Sequence, residues 1–84
     1  MSTLLGYAKL AETHWRAHCP RMVRELEAAG RLEEALLEAQ ERTLDEMESL
    51  MRDFRQQGQT PQQAHDQAWE LVREKYLLLP PEAV

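Results

Sequence analysis

The stretch ETHWRAHCPRM, residues 12–22, holds two of the chain's three histidines and its single cysteine. Histidines at i and i+4 on a helix share one face. His14 and His18 therefore stand in the spacing that helical zinc sites use, with Cys19 as a soft neighbour. A structural zinc site needs four ligands, and His65, the remaining histidine, lies far along the chain. A catalytic zinc helix also carries a glutamate directly after the first histidine, where this chain has Trp15. His14, His18 and Cys19 thus remain metal candidates on spacing alone. The simpler expectation is no metal and no cofactor: Trp15 anchors a core, and the histidines flank it, bonded to a neighbouring helix or a backbone carbonyl.

Other chemistry finds less support. Glu34, Glu38, Glu41, Asp45 and Glu48 recur at spacings of three and four, but di-metal carboxylate helices pair such residues with Glu-x-x-His, and the chain contains none. They read as a solvated acidic face. Ser2 and Ser49 are isolated, and Cys19 would need a lowered pKa to act as a nucleophile. Gly6, Gly30 and Gly58 are too scattered for a phosphate loop. The chain is not expected to be an enzyme.

The elements that carry these residues are helical. There is no isoleucine and no strand-like alternation anywhere. A first helix fits residues 4–18, with Ser2 or Thr3 as its cap and Leu4, Ala8, Ala11 and Trp15 along one face. Pro20 ends it or starts the next, whose short face is Met22, Val23, Leu26 and Ala29, closed by Gly30. The third segment, about residues 32–57, is the longest. Leu37, Leu44 and Met51 fall seven apart, as do Gln40, Met47 and Phe54, with Leu36 and Leu50 widening the stripe. Glu38–Arg42 and Glu48–Arg52 are favourable i, i+4 pairs. Gly58 ends this helix, and TPQQ opens another through Thr60, Pro61 and Gln63, running to about residue 77. Ala64, Ala68, Leu71 and Val72 should point inward there, with Trp69 and Tyr76 beside them.

The expected architecture is all-α: a small helical bundle in which the long central helix packs against the C-terminal helix, with one or two shorter N-terminal helices. Residues 1–79 form a single domain and 80–84 a short extended tail. The expected core is Trp15, Leu26, Leu37, Leu44, Met47, Met51, Phe54, Trp69 and Val72.

At 84 residues the chain buries a modest fraction of its surface, and one cysteine forms no internal disulfide, so good helix packing or self-association must compensate. A stripe longer than its neighbouring helices can cover stays exposed in a monomer and invites a homodimer or another protein partner. The opening residues MSTLLGYAKLAETH lack a basic stretch followed by an apolar run, and no segment suits a membrane span. A cytoplasmic location without membrane contact is expected. The formal charge of −5 disfavours nucleic acid. Yet residues 1–31 carry five basic against three acidic residues, whereas the remainder carry five against twelve. Arg16, Arg21 and Arg24, with Arg31 beyond them, could form a patch for nucleic acid or an acidic partner.

The order GY…HWRAHCPRMVRELEAAGRLEEAL, with GQTPQQAHDQAWELVREKYLLL after it, resembles the small transposon-encoded proteins of the TnpV family. The matching positions are Gly6, Tyr7, Trp15, Pro20, Gly30, Leu32 and Trp69, within about residues 6–79. The resemblance implies a mobile-element setting and carries no reaction with it.

One problem remains in EKYLLLPPEAV. Leu77, Leu78 and Leu79 cannot share one helical face, because successive residues point about 100° apart. Either the chain folds back across the first helix near Trp15, the favoured outcome, or these leucines insert into a partner.

Overall fold

A computed structural model describes residues 6–82 as four helices: α1 (Tyr7–His18), α2 (Pro20–Ala28), α3 (Leu32–Gln56) and α4 (Pro61–Tyr76). No strand occurs among the described residues. The long α3 and α4 form an antiparallel hairpin, α1 crosses the N-terminal part of α3, and α2 packs at the start of α3.

Each boundary has a local cause. Helix α4 opens on a capping box, in which Thr60 Oγ1 accepts the Gln63 amide at 3.2 Å and Gln63 Oε1 accepts the Thr60 amide at 3.0 Å, with Pro61 preset for the first turn. Gly58, at φ +97°, ends α3, and the Gln59 amide reaches back to the Phe54 carbonyl at 3.1 Å. Gly30, at φ +68°, turns the chain between α2 and α3. The expected helix start at residue 4 is replaced by Tyr7, with Gly6 as the residue before it. Ser2, Thr3 and Leu4 lie outside the described residues.

Pro20 is the pivot of the N-terminal half. Its ring disfavours the α conformation at Cys19, which sits at φ −130°, ψ 53° and makes a one-residue elbow between α1 and α2. The elbow buries Cys19 together with Ala8, Ala11, Trp15, Val23, Leu36, Ala39 and Leu77 in the larger core. Met47, Ala68 and Val72 form a second core inside the hairpin, with Leu50, Met51 and Phe54 partly buried around it. Trp69 and Tyr76 touch both.

Three residues expected to face inward do not. Leu37 is 41 % exposed, Leu44 50 % and Leu71 54 %. The buried face of α3 runs through Leu36, Ala39, Thr43 and Met47. A helix advances about 100° per residue, so the Leu37–Leu44 line lies roughly a quarter turn away from that face. The 25-residue α3 is also longer than the 12-residue α1 and the 16-residue α4, which cover one side of it. Trp15, Met47 and Val72 are buried as expected, while Leu26, Met51, Phe54 and Trp69 are partly buried.

Candidate functional site

The tail decides the environment of the histidine–cysteine stretch. Helix α4 ends at Tyr76, and Leu77 is completely buried, with Leu78 and Leu79 half-buried against the larger core. Residues 77–82 then run across α1. Trp15 Nε1 donates to the Leu77 carbonyl at 2.9 Å, and His14 Nε2 lies 2.8 Å from the Leu79 carbonyl. A carbonyl can only accept, so this contact requires the proton on Nε2. Cys19 Sγ donates to the Pro80 carbonyl at 3.6 Å. The three leucines therefore pack within this chain, which folds back across α1 near Trp15.

His14 and His18 do share a face, their ring centroids 4.4 Å apart. His14 is committed to the tail through Nε2, His18 is exposed, and Cys19 points into the core. Burial and the nearby Glu82 charge push the Cys19 thiol above its ordinary value, opposite to what a nucleophile or metal thiolate needs. Among the described residues, no three histidines, cysteines or carboxylates gather at one point. His65 stands on α4, 3.6 Å from Asp66.

Glu82 is a capping side chain that the local sequence does not mark. Because α2 begins at a proline after a cysteine, its first amides have no local acceptor, and no side chain of the elbow supplies one. Glu82 does. Its carboxylate accepts the Arg21 amide at 3.0 Å and the Met22 amide at 2.8 Å, while its own amide donates to the His18 carbonyl at 3.0 Å. One residue thus satisfies both sides of the break that Pro20 makes. Partial burial raises the Glu82 pKa, but the two amides and the charges of Arg21 and Arg24 outweigh it and hold the carboxyl below the ordinary value. Helix α1 has the same problem and a similar solution. Gly6 has no side chain to cap with, and Gln40 Oε1 of α3 accepts the Ala8 amide at 3.2 Å.

The arginines expected as a patch are drawn toward carboxylates. Arg16 lies 3.3 Å from Glu12 and 3.6 Å from Glu27, and Arg21 and Arg24 both act on Glu82. The acidic face is solvated, with Glu38 paired to Arg42 at 2.9 Å and Glu48 to Arg52 at 3.2 Å. Glu46, on the other side of α3, accepts from Tyr76 Oη and, at 3.1 Å, from Lys75. Those hydrogen bonds, Tyr76 first, lower the Glu46 pKa, and the same contact raises that of Tyr76.

Part of the uncovered surface is apolar. Leu37 and Leu44 form an exposed line on α3, continued by Met51 into an open groove of about 770 Å³. Tyr7, Met47, Glu48, Arg52, Arg55, Gln56 and His65 complete its lining. Tyr7 stacks on Trp69 with ring centroids 5.5 Å apart, which fixes one wall of the groove.

No protein-family model, curated protein or solved structure matches this chain. Among the described residues, no helix is long and apolar enough to cross a membrane.

Proposed function

We propose that this protein is a non-enzymatic helical interaction module that docks a protein partner on the uncovered face of α3. The supporting observation is the apolar line itself. Leu44 is half exposed in the middle of α3, and the groove beside it is walled by Tyr7, which stacks on Trp69. Exposed apolar side chains beside an open groove, rimmed by charges, are what protein interfaces leave visible in an isolated chain. The histidine–cysteine cluster and the leucine tail are used up in holding the fold, so neither competes for the role. The module works in the cytoplasm, where a lone thiol stays reduced. Its setting in a mobile element is what the TnpV resemblance suggests.

The decisive experiment replaces Leu44 with lysine and follows two quantities. Association, whether with itself or with a protein recovered from the host, should be lost, while the melting temperature and helical circular dichroism should stay as they were. A variant that associates unchanged overturns the reading.

A further inference from the structure

We propose that the occupant of the α3 face is a second copy of this chain, lying antiparallel along the first. The inference rests on the interaction-module reading and adds the identity, direction and register of the partner.

The apolar line changes its electrostatic surroundings along its length. Around Leu37 the surface is formed by Glu33, Glu34, Glu38, Glu41, Arg42 and Asp45, where carboxylates dominate. Around Leu44 and Met51 it is formed by Arg52, Arg55, His65 and a single carboxylate, Glu48. The line from Leu37 to Met51 therefore has an acidic end and a basic end. A parallel copy would lay acid on acid. An antiparallel copy lays acid on base, and two-fold symmetry repeats every favourable pair.

The register follows from the two apolar residues beside the groove. Setting Leu44 opposite Met51 of the second copy places Glu41 one residue from facing Arg55 of the second copy and Asp45 two residues from facing Arg52 of the second copy. Those offsets are about 1.5 Å and about 3 Å of rise, within the reach of an arginine side chain. Asp45 and Arg52 are seven apart, so they lie on the same flank of α3 and meet on the same side of the interface. Glu48 falls at the symmetry axis beside its own copy, and its charge there is already matched by Arg52 of its own helix at 3.2 Å. Among the described residues, two further leucines are exposed, Leu10 on α1 and Leu71 on α4. Apolar contact supplies the affinity, and the charges set direction and register.

Sedimentation velocity on four samples tests this: the natural chain, Glu41→Arg/Asp45→Arg, Arg52→Glu/Arg55→Glu, and an equimolar mixture of the two variants. All four positions are exposed, so each variant should keep its melting temperature, which is measured alongside. The natural chain should dimerise reversibly. Each variant alone should self-associate at least about tenfold more weakly, because like charges then face each other. The mixture should restore the dimer, since all four charge pairs become complementary. Variants that dimerise like the natural chain, or a mixture that stays monomeric, overturn the proposal. A disulfide formed between Leu44→Cys and Met51→Cys chains, faster than within either alone, confirms the register, and its absence refutes it. A natural chain that stays monomeric at high micromolar concentration also removes the second copy. The module reading would survive that result if a different, identified protein bound the natural chain and not Leu44→Lys.

Discussion

The carboxylate of Glu82 accepts the amide of Met22 at 2.8 Å across 60 residues of sequence, so the last described residue of the chain caps a helix near its beginning. The proline that breaks α1 from α2 creates the orphan amides, and the tail supplies the acceptor. The acidic tail is thereby part of the packed domain, and the double proline delivers Glu82 to the elbow.

This contact makes a prediction about pH. The folded state holds the Glu82 carboxyl below its ordinary value, so its contribution is complete above about pH 4.5 and is lost as the pH falls through the lower folded value. Glu46, bonded by Tyr76 and Lys75, behaves with the same sign. Thermal melts between pH 7 and pH 2 should show stability falling in the acid range, and Glu82→Gln should flatten part of that slope. At neutral pH the substitution should speed hydrogen exchange at Arg21 and Met22. Equal slopes in the two proteins would show that the tail contact does not titrate with folding.

Removing residues 77–84 should lower the melting temperature markedly. Leu77 is completely buried, and deleting a large core side chain alone costs about 2–5 kcal/mol. The loss also uncovers Trp15, whose fluorescence should shift to the red. A truncated chain with an unchanged melt would mean that the tail packs too loosely to matter.

Trp15→Phe removes the indole N–H and leaves a smaller ring in the core. The ring stays apolar, but the buried Leu77 carbonyl loses its donor, an imbalance that costs about 1–3 kcal/mol. Chemical denaturation should report that loss with an unchanged slope. A neutral result would mean that water replaces the indole.

Leu36→Ala and Leu44→Ala should differ sharply despite lying two turns apart on one helix. Leu36 is fully buried and should cost about 2–5 kcal/mol. Leu44 is half exposed, and its effect on an isolated chain should stay within about 0.5 kcal/mol. Dilution below the association range, followed by denaturation, separates the two.

The local rules of the backbone were enough to read much of this molecule directly from its residues. Pro20, Gly30, Gly58 and the Thr60–Gln63 box end or begin helices by conformational preference and short-range hydrogen bonding, which need no distant partner. The same holds for Glu38–Arg42 and Glu48–Arg52, which a single helix brings together. The three leucines could be seen to leave the helix, because one face has no room for them. Tertiary structure alone decided which apolar line of α3 was covered. Leu36 and Leu37 are equally apolar and adjacent, and only the placement of α1 and α4 buries one and leaves the other at the surface. Caps supplied from afar were equally hidden: Gln40 reaches the start of α1 and Glu82 the start of α2 because folding brings them there, and nothing in their immediate neighbours marks them. Helical spacing places His14 and His18 on one face, but the use of that face was settled by the carbonyl of Leu79, which arrives from the far end of the chain.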